Sequence, residues 1–454
     1  MSGSRTSYTT RFSYAASDVA GQLVFCVVSF YLSWFYTDVF GISPAAAGTI
    51  LLVARWVDAI DAPLWGILFD RTRSRWGKSR PWFLWLSLPF ATFGVLTFLT
   101  PDIGYTAKVW YAAITYIGCS VLYTGINTPV TSILSALTSD PRERVTLTAF
   151  RMFGSKLGVL IVNLTALRLV ALLGEGDDRR GFMLVMPIYA AGSVLLFLLA
   201  FRNLREVVRV EHKPQPILAG FGALRGNWPW MIIFASSLFF WIGFIARVST
   251  VPYFFEYALQ RKDLVWLANS LDFVSLATAF LLPWLCRWTS KRNAWAIGLA
   301  GMVFGQLVVG WGVSQGFSLS VIMTGWTIGF LASGMAMAMP FSLLADSVDY
   351  GEWKNGIRAA GLLTAIGAAF CLKAGAGLGG ALPLWIMQGF GYVPNTAQTA
   401  GALDGIAIGF VWLPAACFFA ALIPVLFYGR FEKWEPEIHA ELDRRRANTG
   451  TKPE

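Results

Sequence analysis

Two carboxylates lie close together in an otherwise apolar stretch, ARWVDAIDAPLWG, at residues 54–66. Asp58 and Asp61 are three residues apart, so a helix places them on one face about a turn from each other. Arg55 lies three residues before Asp58 on the same side. Carboxylates in apolar surroundings can bind Na⁺ or carry a proton; the alternative is that Asp58 pairs with a cation only to hold helices together. We predict a cation-coupling role for both carboxylates.

Polar side chains also recur at helical spacing in two other apolar stretches. They are Asp18, Gln22, Ser29 and Ser33 in the first stretch and Tyr116, Ser120, Thr124, Asn127 and Thr131 in the second. A polar stripe on an apolar helix predicts contact with water or a ligand, although Ser and Thr also bond to neighbouring helices. The members that we expect to bind a solute are Asp18, Gln22, Asn127 and Thr131.

Two basic residues, Arg151 and Lys373, lie well inside apolar runs. A cation at such a depth needs an anionic partner, and for Lys373 we expect Asp58 or Asp61. Beside one of these carboxylates, the ammonium group of Lys373 can take the place of a bound Na⁺ or H⁺. Arg151 offers several N–H donors to the hydroxyls of a solute, and a salt bridge at the interface of the two halves is the alternative.

The composition sets the class of protein. Of the 454 residues, 56% are apolar and only 14% are charged, and the mean hydropathy is +0.57. A soluble chain needs more charge to cover its surface, so we predict an integral membrane protein and exclude disordered and disulfide-framework chains. Apolar runs of about 20 residues without alternation favour helices over a β-barrel. With only two His in the chain, a histidine metal site and a Ser-His-Asp triad are also excluded.

The apolar runs predict an all-α fold with twelve transmembrane helices. They cover roughly residues 15–36, 43–69, 82–100, 107–137, 146–173, 181–201, 230–255, 264–286, 295–313, 319–345, 361–390 and 405–428. With both termini in the cytoplasm, 25 of the 36 Lys and Arg fall in inside segments and five in outside loops. This bias also accounts for the net charge of +10 without a nucleic-acid partner.

The longest internal polar stretch divides the helices into two sets of six. The predicted division is a first six-helix bundle, a cytoplasmic linker, a second six-helix bundle and a cytoplasmic tail, at residues 1–201, 202–228, 229–428 and 429–454. Short basic loops at matching positions of the two bundles are typical of a duplicated unit.

Two predicted cytoplasmic loops carry opposite charge. The first, at residues 66–82, is mainly basic, and the second, at residues 344–358, is mainly acidic. We predict that they pair as an inside gate, although the positive-inside bias alone also explains the basic loop. The predicted gate residues are Asp70, Arg71, Arg75, Asp346, Asp349, Glu352 and Arg358.

Several motifs together resemble a known family. They occur in order between residues 12 and 395, as FSYAASD, FYTDVFGIS, LLVARWVDAIDAP, DRTRSRWGKSRPW, LADSVDYGEWK and GYVPN. In these motifs the chain resembles the glycoside–pentoside–hexuronide:cation symporters of the major facilitator superfamily. The resemblance implies the major facilitator fold, alternating access, and sugar uptake coupled to Na⁺, Li⁺ or H⁺.

The resemblance also implies a cation site. Asp58 matches the first cation carboxylate of the family, whereas Ala62 stands in the place of the second, with Asp61 just before it. Thr124 and Lys373 match residues that line this site. Na⁺ at Asp58, Asp61 and Thr124 is one possibility, but the missing carboxylate favours H⁺, because a single Asp suffices for a proton.

The resemblance implies a solute site as well. Arg151 matches a sugar-site arginine, while Gln22 and Asn127 stand where the family has sugar-binding aspartates. Thr131 replaces a stacking tryptophan, and these departures count against α-galactoside specificity. The two amides suit an uncharged glycoside and also allow a uronate with Arg151 as its counter-ion.

We therefore expect a multi-pass symporter of the cell inner membrane rather than an enzyme. It carries a sugar or glycoside-like solute with a monovalent cation, H⁺ or Na⁺, as a monomer among membrane lipids. No cofactor, structural metal or nucleic acid is expected. The alternatives are a carrier of a non-sugar organic solute on the same fold and a membrane-embedded transferase.

Overall fold

The computed structural model describes residues 6–138, 140–206, 224–356, 363 and 365–448, and all regular secondary structure in these ranges is helical. The longer helices are α1 Tyr8–Trp34, α2 Pro44–Arg71, α3 Arg80–Thr97, α4 Tyr105–Leu137, α5 Pro141–Gly174, α6 Asp178–Asn203, α7 Trp228–Ser249, α8 Ser275–Trp288, α9 Lys291–Ser314, α10 Leu319–Asn355, α11 Cys371–Gly389, α12 Leu413–Phe427 and α13 Gly429–Asn448. Short π-helical segments extend several of them, at Phe35–Val39, Phe254–Ala258, Ala365–Phe370 and Ile408–Trp412.

Ten helices within the described ranges are long and apolar enough to cross a membrane. The prediction of an all-α, multi-pass membrane protein is therefore confirmed. The other two predicted spans are helical as well. However, α2 carries Arg55, Asp58 and Asp61 in its apolar stretch, and α3 is less apolar because it includes Arg80 and two prolines. The count of twelve spans and the cytoplasmic position of the termini stay predictions.

Local sequence explains where α2 begins and where α10 ends. Ser43 Oγ accepts a hydrogen bond from the backbone N of Ala46 at 3.3 Å, and Pro44 occupies the first turn of α2. Pro suits this position because its missing N–H would have no partner there. At the other end of a helix, Gly356 ends α10 with a φ of 67°, a left-handed conformation that costs glycine little.

The helices form two compact units. Unit 1 contains Met1–His212, Phe255–Ser270 and Met387–Ala402, and unit 2 contains Lys213–Phe254, Leu271–Ile386 and Leu403–Glu454. Unit 1 thus combines α1–α6 with two segments from later in the chain. Most of the predicted linker lies outside the described residues. The predicted domain bounds stay a prediction.

In unit 1, α1 packs closely against α5 at two glycines. A Cβ atom added to Gly154 would lie 2.4 Å from the carbonyl O of Ala15, and one added to Gly158 would lie 2.7 Å from Cβ of Gln22. Small residues four apart let two membrane helices approach closely. This approach decides which polar side chains of α1 and α5 can bond to each other.

In unit 2, glycines bring α9 and α10 together in the same way. A Cβ atom added to Gly305 would lie 2.7 Å from the carbonyl O of Gly325. The fully buried Arg247 of α7 also binds α10, because its Nη2 donates to the carbonyl O of Trp326 at 2.7 Å. Its guanidinium lies 3.9 Å from the centre of the Trp326 ring, a cation–π contact.

Candidate functional site

Asp58 lies in a buried polar network that joins α2 to α4. It is 2% exposed, and its Oδ2 accepts hydrogen bonds from Arg55 Nη1 at 2.8 Å and from Ser120 Oγ at 2.9 Å. Nη2 of Arg55 donates to the hydroxyl of Tyr116 at 2.9 Å. The Arg55–Asp58 pair is therefore present, and Arg55 partly compensates the charge of Asp58.

Two further residues predicted for cation coupling follow along the same helices. Asp61 is buried on α2, one turn after Asp58, and is 6% exposed. Thr124 is half-buried on α4, one turn after Ser120. Carboxylate and hydroxyl oxygens are ligands that suit a hard cation, and a carboxylate can also take a proton. The coupling role of both residues stays a prediction.

Lys373, the fourth residue predicted for coupling, belongs to α11 in unit 2. It is half-buried, two residues after the start of that helix. Its predicted partnership with Asp58 or Asp61 stays a prediction.

Three residues predicted to bind solute lie on the facing sides of α1 and α5 in unit 1. Arg151 Nε donates to Asp18 Oδ2 at 2.6 Å. One turn further along both helices, Gln22 Nε2 donates to Ser155 Oγ at 2.9 Å, and Cys26 Sγ donates to Gln22 Oε1 at 3.2 Å. These bonds form two polar rungs between α1 and α5. Sequence reasoning missed Ser155, although the Gly154–Gly158 spacing beside it indicates a close helix contact.

The other two residues predicted to bind solute lie on α4. Asn127 is half-buried and Thr131 is exposed. The hydroxyl of Thr131 donates to the carbonyl O of Asn127 at 3.1 Å, so this hydroxyl is already bonded within its own helix. A direct role of Thr131 in binding a solute stays a prediction.

The basic loop that was predicted as half of an inside gate is anchored within unit 1. Glu206 accepts hydrogen bonds from the backbone N of Lys78 at 2.9 Å and of Ser79 at 2.6 Å. Arg71 and Arg75 are exposed, and the guanidinium of Arg75 lies 4.4 Å from the centre of the Trp76 ring. The side chain of Asp70 lies outside the described part of the chain.

The acidic residues of the predicted gate lie at the end of α10 in unit 2. Lys291 Nζ donates to Asp346 Oδ2 at 2.8 Å and to Glu435 Oε1 at 2.6 Å, which joins α9, α10 and α13. Asp349 and Glu352 are half-buried on the same helix. Arg358 lies outside the described residues. Pairing of the acidic loop with the basic loop stays a prediction.

Sequence reasoning missed a buried carboxylate cluster at the other end of α1. Asp38 is 8% exposed, and its carboxylate accepts hydrogen bonds from the hydroxyls of Tyr257 and Tyr392, the latter at 2.7 Å. Asn395 Nδ2 donates to the backbone O of Asp38 at 2.6 Å, and the backbone N of Asn395 donates to the hydroxyl of Tyr257 at 3.0 Å. The cluster joins α1 to the segments 255–270 and 387–402 within unit 1.

A second set of bonds joins the same end of α1 to segment 255–270. Trp34 Nε1 donates to Glu256 Oε2 at 2.6 Å. Lys262 Nζ donates to Asp178 at 2.7 Å and lies 4.3 Å from the centre of the Trp34 ring. The motifs FYTDVFGIS and GYVPN contain Asp38, Tyr392 and Asn395 of the Asp38 cluster. They lie far apart in the sequence, so no spacing pattern predicts that these residues meet.

Known proteins are similar to this chain over nearly its whole length. The family model described as MFS/sugar transport protein matches residues 13–429. An isoprimeverose transporter of Lactiplantibacillus pentosus is 43% identical, with 97% of this chain and 92% of that protein covered. A putative glycoside/cation symporter, YagG, of Escherichia coli strain K12 is 31% identical, with 96% of this chain and 95% of that protein covered.

Solved structures support the fold. The crystal structure of a D-xylose-proton symporter matches with a TM-score of 0.67 at 16% identity, over 93% of this chain and 97% of that one. At this identity the match shows only the fold. The family model and the relatives confirm that the protein is a transporter and not an enzyme. The chain therefore belongs to the MFS/sugar transport protein family, among the glycoside–pentoside–hexuronide:cation symporters that its motifs resemble.

Proposed function

We propose that the protein carries a sugar or glycoside together with a monovalent cation by alternating access. The observation that supports this most is the buried network of Arg55, Asp58 and Ser120. Ionisable groups inside a membrane are costly, and functional sites are where they usually occur. The names of the relatives, an isoprimeverose transporter and a glycoside/cation symporter, support the class of solute and the coupling.

The coupling ion that we propose is H⁺. Arg55 lies 2.8 Å from Asp58 and already compensates its charge, so Na⁺ would have to bind beside a guanidinium. A proton instead neutralises Asp58 and weakens its attraction for Arg55. The proton and the solute drive transport only if both favour the same conformational state. Asp61, Thr124 and Lys373 are the further residues that we assign to this step.

The solute site that we propose lies along α1, α4 and α5. Its contacts are Asp18, Gln22, Asn127, Thr131 and Arg151. The Asp38 cluster at the predicted outer end of α1 is proposed as the contact that closes the outer side. Opening that side then requires the hydroxyls of Tyr257 and Tyr392 to leave the carboxylate of Asp38.

Transport by the purified protein in proteoliposomes tests this function. Labelled neutral glycosides are screened first for counterflow without an ion gradient, and then under separate H⁺ and Na⁺ gradients. We expect counterflow of at least one glycoside and its accumulation under the inward H⁺ gradient. Exchange of a non-sugar organic solute with no counterflow of any glycoside would contradict the proposal. Accumulation under Na⁺ alone would contradict the choice of ion.

A further inference from the structure

The charge balance of the proposed solute site bears on which sugars it accepts. Arg151 and Asp18 are only partly exposed, with 24% and 13% of their side chains accessible, and they lie 2.6 Å apart. Their charges cancel. The next rung along α1 and α5 is formed by Gln22 and Ser155, which are both uncharged.

The basic residue of α5 that follows Arg151 most closely is Lys156. It follows Arg151 by five residues, which is about 140° around the helix axis. Lys156 therefore leaves α5 from a different side. Asn127 on α4 adds another uncharged amide to the proposed site. Arg144 lies two turns before Arg151 on the same face of α5, and its Nε donates to the carbonyl O of Thr138 at 3.0 Å. Arg151 is the guanidinium that lies beside the rung of Gln22 and Ser155, so it is the one that an anionic sugar would meet in the proposed site.

An anionic sugar would have to compete for that fork. A carboxylate or sulfonate binds a guanidinium best through two parallel charge-assisted hydrogen bonds. Here Asp18 already occupies the Nε side of Arg151, so the sugar's anion would lie next to a second negative charge. Like charges at such a distance disfavour binding, and selection against a wrong ligand often rests on this effect. The hydroxyls of an uncharged sugar meet no such penalty, because they can donate to Asp18 and accept from Arg151.

We infer that Asp18 is a specificity-determining residue, which makes the site select uncharged sugars and reject uronates and sulfonates. This inference rests on the proposed function, since it concerns the same solute site. The sequence alone also allowed a uronate as the solute, with Arg151 as its counter-ion; the inference excludes this class of solute. Gly154 and Gly158 support it, because the close contact of α1 with α5 keeps Asp18 within reach of Arg151.

The test compares matched pairs of probes that differ only in charge: methyl glucoside with methyl glucuronide, and methyl galactoside with methyl galacturonide. Binding to the purified protein and counterflow are measured for wild type, Asp18→Asn and Asp18→Ser. We expect wild type to favour the neutral member of each pair it binds. The affinity of both variants for the uronide should be at least about tenfold higher than that of wild type. This factor corresponds to the lower end of the contribution of a charge-assisted hydrogen bond.

Two further measurements separate specificity from a merely structural role. The uronide should raise the melting temperature of Asp18→Asn but not of wild type, because it replaces the lost partner of Arg151. The double variant Asp18→Asn with Arg151→Gln should lose this gain. Unchanged uronide binding in both single variants would overturn the inference, as would wild type that binds uronides and neutral glycosides equally. The gain in uronide binding by the Asp18 variants does not depend on which neutral sugar the protein carries. If no neutral glycoside shows counterflow, that result contradicts the proposed function and not this inference.

Discussion

Replacing Asp38 by Asn should weaken the cluster that joins α1 to the segments 255–270 and 387–402. The carboxylate accepts hydrogen bonds from two tyrosine hydroxyls, those of Tyr257 and Tyr392. A hydrogen bond to a charged group contributes ~1.5–3 kcal/mol and a neutral one ~0.5–1.5 kcal/mol. An amide keeps an acceptor oxygen but no charge, so the loss is about 1 kcal/mol per bond and about 2 kcal/mol in all. This corresponds to an increase of about 30-fold in the population of the opened cluster.

Hydrogen exchange measured by mass spectrometry reports this opening directly. The backbone N–H of Asn395 is bonded to the hydroxyl of Tyr257, so it becomes exchangeable when the cluster separates. Peptides that cover residues 387–402 should exchange about 30-fold faster in Asp38→Asn than in wild type. Asp102→Asn, the same change at an exposed residue, is the matched control and should leave the rate unchanged. Equal exchange in Asp38→Asn and wild type would refute the reasoning.

Three further changes test other parts of the structure. Gly154→Leu should abolish solute binding, because the added side chain separates α5 from α1. The control Gly66→Leu should preserve binding, because a Cβ atom added to Gly66 meets nothing within 4 Å. Binding measurements on the two variants test this. Hydrogen bonds from Thr6 lower the pKa of Glu143 below its ordinary value of about 4.5. The ionised Glu143 therefore stabilises the folded protein fully above pH ~4.5, and this stabilisation is lost as the pH falls through the lowered pKa of the folded state. Thermal unfolding should therefore separate wild type from Glu143→Gln at neutral pH and bring them together in acid; a constant difference would contradict this. Lys291→Gln should speed hydrogen exchange in α13, because it removes the ion pair between Lys291 and Glu435 of that helix. Exchange equal to that of wild type would contradict this expectation.

Much of the fold followed from the sequence because the membrane imposes simple demands. Long apolar runs must form helices, since a backbone in lipid has to satisfy its own hydrogen bonds. Polar residues at helical spacing likewise identified Asp18 and Gln22 as neighbours on one face of α1. Their partners were harder to predict. Ser155 is an ordinary residue, and only the close helix contact at Gly154 and Gly158 brings it to Gln22.

Contacts between distant parts of the chain had no signal in the sequence. Asp38 bonds to Tyr257 and Tyr392, which lie 219 and 354 residues away, and no spacing rule connects them. The anchoring of the basic loop by Glu206 was missed for a related reason. The positive-inside bias explains why the loop is basic, but backbone N–H groups that bind a carboxylate leave no pattern in the sequence.

Gradient-driven accumulation by Asp58→Asn tests the central claim most directly. With one proton carried per solute, an inward pH gradient of about 1 unit supplies about 1.4 kcal/mol and drives about tenfold accumulation of the glycoside in wild type. Asn at this position keeps a similar shape and can still accept from Ser120, but it cannot take up and release a proton. We predict that the variant retains counterflow while its accumulation falls to about the outside concentration. Accumulation equal to that of wild type would contradict the assignment of Asp58 as the coupling residue.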